Sequence, residues 1–140
     1  MNNSFLLFAI KCTCIVYFAA CTRIENLTDI RSATPLITKG TWKIVMSGKN
    51  NAGQAASIAD YKLVFGSNGV VKALRNGTET SGNWSEDNFA KRITLNFGMT
   101  DPTLQKLNDY WTIRDIANLE VNLQNNHSSS MEDLKLLHFN

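Results

Sequence analysis

Beyond residue 21 the chain has no cysteine. All three, Cys12, Cys14 and Cys21, lie near the N terminus, so nothing downstream can form a disulfide, hold a zinc thiolate or act as a thiol nucleophile. Charge of one sign is equally scarce. Lys+Arg 14 stand against Asp+Glu 12, and Lys91-Arg92 is the one adjacent basic pair. Nucleic-acid affinity grows with the number of phosphates neutralised, so a single pair argues against a phosphate-binding track. Catalytic motifs are missing too. His127 and His138 have no carboxylate or nucleophile at motif spacing, and there is neither a glycine-rich phosphate loop nor a His-Glu-x-x-His helix. The acidic pairs Glu86-Asp87 and Glu132-Asp133 read as solvated turn residues, since a two-carboxylate hydrolase would have to assemble its pair in space. No catalytic residue, metal site or cofactor is expected.

What is present begins with an apolar run from Phe5 to Ala20, broken by Lys11. It has the length of a secretory h-region and falls short of a membrane span. The run ends in Phe18-Ala19-Ala20-Cys21, which resembles the lipobox of bacterial lipoproteins. That resemblance implies that residues 1–20 are a signal peptide. Cys21 would then take a diacylglyceryl group on its sulfur, become the mature N terminus and hold the protein to a bilayer through its acyl chains. Thr22, rather than Asp, follows the cysteine, which by the same resemblance points to the outer membrane. The alternative is an ordinary signal peptide cut nearby, with Cys21 an incidental thiol. Asn-x-Ser/Thr sequons such as Asn76-Gly77-Thr78 would carry glycans in a eukaryotic secreted protein; the lipobox favours a bacterial one. Residues 21–39 read as a flexible tether. Ile24, Leu27 and Ile30 hint at helical spacing, but Thr34-Pro35 is expected to stop any helix.

From Gly40 the pattern changes to short alternating runs. Trp42, Ile44 and Met46 share one face of a first strand, and Tyr61, Leu63 and Phe65 one face of a second. Gly66-Ser67-Asn68-Gly69 makes a turn, a third strand runs from Val70 to Arg75, and Asn76-Gly77 turns the chain into a fourth around Ser81–Ser85. Ile93, Leu95 and Phe97 mark the fifth strand, Trp111 and Ile113 the sixth. Leu119, Val121 and Leu123 mark the seventh, and Leu134 to Phe139 the eighth, where Leu136 and Leu137 leave the facing open. Between the fifth and sixth, residues 101–108 read as a short helix. Asp101 can cap its free amides, and Pro102 suits a first helical position. Eight strands at meander spacing predict a single all-β domain over residues 40–140, an eight-stranded antiparallel up-and-down barrel.

The series Gly40-x-Trp42, Phe65-x3-Gly69, Gly82-x-Trp84, Leu95-x-Phe97 and Leu107-Asn108-x2-Trp111-x-Ile113 resembles the lipocalin-like domains of small bacterial lipoproteins. In lipocalins the first-strand tryptophan plugs one barrel end beneath an arginine from near the C terminus. That resemblance implies that Gly40 and Trp42 anchor a barrel end, and it implies a binding module. An eight-stranded barrel encloses either packed side chains or one small ligand. The expected function is therefore to bind or carry a small apolar or sugar-like ligand in an open barrel, with Tyr61, Trp84 and Trp111 lining its mouth; the filled barrel is the alternative. If the aromatics fill it, the domain becomes a structural or protein-interaction module of the cell envelope. An envelope protein partner would then meet the loops 49–57 and 125–130.

Overall fold

The computed structural model describes residues 32–48, 57–125 and 132–140. Over these the chain forms eight strands: β1 (Thr41–Gly48), β2 (Lys62–Phe65), β3 (Val70–Arg75), β4 (Thr78–Asp87), β5 (Arg92–Asn96), β6 (Asp109–Ala117), β7 (Glu120–Asn125) and β8 (Glu132–Phe139). Each pairs antiparallel with its sequence neighbours, and β8 pairs back onto β1, so the meander closes into a ring. The expected all-β eight-stranded sheet is therefore present. Closure removes the free edges that an open meander would expose. The β1–β8 pairing runs the full length of β1, from Thr41↔Phe139 to Gly48↔Glu132. The β1–β2 pairing is short, Trp42↔Leu63 and Lys43↔Lys62.

Alternation drives this closure. Inward residues such as Ile44, Leu63, Val71, Ile93, Leu95, Val121 and Leu136 are buried, while Lys43, Lys72, Thr94 and Asp133 between them face out. Asn76 (φ 48) and Gly77 (φ 78) both occupy the left-handed region that a two-residue hairpin turn demands. The two Gly-x-Trp glycines serve different purposes. Gly40 has φ 84, and a Cβ there would meet His138 Nε2 at 2.5 Å. At Gly82 a Cβ would strike the Asn96 carbonyl at 2.6 Å, so this glycine lets β4 and β5 approach.

The ring has two rims. The near rim, where the chain arrives from its N-terminal segment, holds the start of β1, the end of β8 and the turns after β2, β4 and β6. At the far rim lie the connections after β1, β3, β5 and β7.

Several expectations need correction. Of the tether expected over residues 21–39, residues 21–31 lie outside the described residues and the remainder is not a flexible spacer. Thr34–Ile37 forms a helical turn, α1, with Pro35 in its first turn, and Ala33 and Ile37 are buried in the core. Proline has no amide to lose there, so Pro35 starts the helix rather than stopping it. The helix expected at 101–108 is a 3-10 helix, Leu104–Leu107. Leu119 was expected to face inward but is 59% exposed at the β6–β7 turn, with the strand beginning at Glu120. Asn125 ends β7 and is buried, not part of a polar loop. In β8 it is Leu136 that faces the core, with Leu137 half-buried on the other face.

Candidate functional site

At the near rim, α1 lies over the end of the ring. Glu86, at the end of β4, reaches back to its start. Glu86 Oε2 accepts from Ser32 Oγ (2.7 Å), Thr34 N (2.9 Å) and Thr34 Oγ1 (2.5 Å), and Oε1 accepts from Ala33 N (2.7 Å). A helix start leaves amides without intrahelical partners, and one carboxylate satisfies two of them here. Burial pushes the Glu86 carboxyl up. The bonds from Thr34, Ala33 and Ser32 more than offset this and hold it below its ordinary value. From inside, the Trp42 indole N–H donates to the Ile37 carbonyl at 2.8 Å. The His138 ring stands edge-on to Trp42, centroids 5.2 Å apart.

At the far rim the arrangement recurs with different residues. Leu104 and Leu107 of the 3-10 helix are buried, and the Trp111 indole N–H donates to the Leu107 carbonyl at 3.0 Å. Asp101 Oδ1 accepts from the amides of Thr103 (2.8 Å) and Leu104 (3.2 Å), the capping role its position suggested. Its other oxygen, Oδ2, accepts from the Tyr61 hydroxyl at 2.5 Å, and Arg75 Nη1 donates to that hydroxyl at 3.1 Å. The Arg75 guanidinium also lies over the Tyr61 ring, 5.1 Å from its centroid. The Tyr61 hydrogen bond is the main reason the Asp101 carboxyl sits below its ordinary value, against the effect of burial. Burial first, and then that same bond, raises the Tyr61 phenol.

Beside this cluster is a pocket of about 300 Å³ lined by Tyr61, Arg75, Asn76, Thr78, Thr80 and Asp101. Its lining is hydroxyl, amide and charge, with Arg75 committing one hydrogen bond among the described residues, to Tyr61. Hydrogen-bond donors of this kind suit a carboxylate or the hydroxyls of a sugar. No group of three metal-ligating side chains comes together among the described residues.

The three residues expected to line one mouth are not brought together, and that expectation is corrected. Only Tyr61, 4% exposed, borders the pocket. Trp84, 8% exposed, belongs to the near-rim half of β4, edge-on to Phe65 at 5.3 Å, with its indole N–H on the Gly66 carbonyl at 2.9 Å. Trp111 is fully buried. Every tryptophan has its N–H committed to a backbone carbonyl, so these rings serve as packing anchors. Gly40 and Trp42 sit at one end of the ring.

No family model matches the chain, and no curated protein matches it. Among solved structures, the crystal structure of a DUF4847 family protein from Bacteroides vulgatus has a similar fold. Its TM-score is 0.55 at 15% sequence identity, over 77% of this chain and 98% of that one. At this identity the likeness extends to the fold alone.

Sequence reading missed Arg75, Asp101 as a partner of Tyr61, and Glu86 as a clasp. Tyr61 and Asp101 are 40 residues apart, and Glu86 and Ser32 are 54 apart. Local spacing carries no trace of such pairs. The loops expected to contact a partner, 49–57 and 125–130, lie outside the described residues except for Ser57 and Asn125, as do Cys21 and His127.

Proposed function

We propose that this chain is a non-enzymatic lipoprotein of the bacterial cell envelope, held at the outer membrane through an acylated Cys21. Its lipocalin-like barrel is a filled structural element that works by surface contact with an envelope protein. The observation that carries this reading is the occupancy of the interior. Trp42, Trp111, Phe65, Ile44, Leu63 and Leu95 are all buried inside the ring, and α1 and the 3-10 helix cover its two rims with buried Ala33, Ile37, Leu104 and Leu107. Aromatic side chains bury roughly 150–250 Å² each, so three of them take much of the volume an eight-stranded ring encloses. His138, from near the C terminus, packs against Trp42 at the barrel end where the lipocalin resemblance places an arginine. The partner-facing surface in this reading is the far rim, from which the 49–57 and 125–130 connections depart.

A second reading is favoured by the pocket at Arg75: a small polar ligand, carboxylate or sugar, taken at the far rim rather than inside the ring. Native mass spectrometry of the chain purified from its host envelope, with quenching of tryptophan fluorescence by apolar probes, separates the readings. The filled-barrel reading expects an acyl-bearing mass with no further adduct, and no saturable quenching. A co-purifying apolar molecule released on denaturation, with quenching that saturates at one site, would restore an interior carrier. A polar adduct lost in an Arg75→Ala variant would favour the rim pocket.

A further inference from the structure

The near rim carries features that the core and the clasp do not use. Phe89 is 99% exposed at the β4–β5 turn, although that turn is well made: Asp87 Oδ1 accepts from the amides of Phe89 (3.0 Å) and Ala90 (2.9 Å). A hydrogen-bonded turn thus projects a phenyl ring into solvent. Leu119, at the next turn round the same rim, is also exposed, and its carbonyl accepts from the amide of His138, beside the partly exposed Phe139. Single exposed apolar residues are ordinary, but three at the turn tips and strand end of one rim form a set.

Charge is divided between the rims in the same sense. Around the near rim Lys39, Lys43 and Arg92 stand with Asp87 and Asp115, while Glu86 is enclosed by its clasp and Glu120 is paired with Lys135. The far rim has Asp60, Asp101, Asp109, Glu132 and Asp133 against Arg75 and Lys106, with Asp101, Asp109 and Asp133 accepting hydrogen bonds from Tyr61, Asn125 and Gln124. Lys43 and Lys62 both lie over the Phe139 ring, 4.8 and 3.8 Å from its centroid, so cations and apolar surface are interleaved.

We infer that the near rim is a bilayer-facing surface. Phe89 and Leu119 enter the interfacial layer of an anionic phospholipid membrane, and Lys39 and Arg92 meet its phosphates. This rests on the lipid-anchor reading for its geometry. The chain from Cys21 to Ser32 reaches at most roughly 40 Å when fully extended. Since Ser32 is bound at the near rim by Glu86, the anchor joins the domain at that rim, and a ten-residue strand such as β4, roughly 30 Å long, sets the far rim further from it. Amphipathic surfaces that mix aromatics with Lys and Arg bind at this depth.

The test uses the absence of cysteine after residue 21. Phe89→Cys, Leu119→Cys and Met99→Cys variants of the acylated chain, each carrying an environment-sensitive thiol label, are reconstituted on phosphatidylethanolamine–phosphatidylglycerol vesicles. Met99 is exposed in the β5–β6 connection at the far rim. Labels at 89 and 119 should be quenched by lipid-borne quenchers and respond about tenfold less to aqueous iodide than the label at 99, consistent with burial of one large apolar side chain. A Lys39→Glu/Arg92→Glu pair should weaken the response on these vesicles and leave it unchanged on phosphatidylcholine. Equal iodide quenching at all three positions overturns the inference, as does protection of position 99 instead. Intact mass reports acylation separately. A chain without acyl groups refutes the anchor alone, and the labels at 89 and 119, with vesicles added to that chain, still decide the rim.

Discussion

The two rims of the ring are closed by one plan carried out with different residues. At each, a short helical segment lies across the opening, contributes two buried apolar side chains, and offers a backbone carbonyl to a core tryptophan: Ile37 to Trp42 at the near rim, Leu107 to Trp111 at the far rim. The near segment is also gripped by Glu86 through four hydrogen bonds from Ser32, Ala33 and Thr34. The far segment is self-capped by Asp101, which the Tyr61 hydroxyl ties to the wall, while Asn108 accepts from the Phe97 amide and donates to the Gly98 carbonyl and Gln105 donates to the Met99 carbonyl. The near plug therefore draws its cap from β4, whereas the far lid brings its own.

The tryptophans give the largest expected effect. Trp42→Ala and Trp111→Ala should each destabilise the fold by about 3–5 kcal/mol, because each empties a fully buried site and strands a carbonyl. Denaturant midpoints measured side by side test the equivalence of the two rims. Trp→Phe at either position keeps most of the apolar area and isolates the stranded carbonyl, at about 1–3 kcal/mol. If one replacement is neutral, water or a rearranged segment satisfies that carbonyl, and the shared plan fails at that rim.

Much of the wall could be read from the sequence, because strand alternation shows which residues face in whatever lies far away in the chain. The two Gly-x-Trp motifs were visible for the same reason: the backbone needs a positive φ at Gly40 and a close approach at Gly82, and only glycine meets either demand. Leu119 misled because it continues the alternation of Val121 and Leu123 into a two-residue turn, where the period no longer says which way a side chain points. Pro35 misled because a proline both ends helices and begins them. The rim contacts were illegible for a deeper reason. Glu86 meets Ser32, and Tyr61 meets Asp101, only once distant stretches of the chain are brought together, whereas Tyr61 and Arg75 are next in register across the β2–β3 hairpin. The candidate site therefore came almost wholly from the structure, apart from Tyr61 itself.

Acid should distinguish the rims next. Both Glu86 and Asp101 have carboxyls depressed in the folded state. Each therefore contributes stability that is present above its unfolded value and lost as the pH falls through the lower folded one. The ordinary values are 4.5 for Glu86 and 3.8 for Asp101, so the near-rim loss sets in at the higher pH. Glu86→Gln should cost about 1–3 kcal/mol near neutral pH, since a neutral amide cannot accept all four bonds. It should also flatten the dependence of urea stability on pH below about 4.5. Amide exchange at Ala33 and Thr34 should quicken in this variant while Thr103 and Leu104 stay protected. Equal loosening at both rims would mean that the ring opens as one unit.

The smallest effect is the sharpest probe of the far rim. Tyr61→Phe keeps the ring beneath Arg75 and removes only the hydroxyl that joins Arg75 to Asp101. At neutral pH it should cost about 1 kcal/mol, the net value of a hydrogen bond to a charged group that stays partly wet. Above pH 10 this difference should shrink in an informative way. The Tyr61 phenol is raised above its ordinary 10.0 in the folded protein, so its contribution is complete below the unfolded value and disappears as the pH rises through the folded one. Wild type should therefore lose stability over that alkaline range and converge on the variant, which has no hydroxyl to ionise. A stability gap that stays constant above pH 10 would mean the Tyr61–Asp101 bond does not hold the far lid, leaving Trp111, the buried leucines and the Asn108 and Gln105 hydrogen bonds as its attachment.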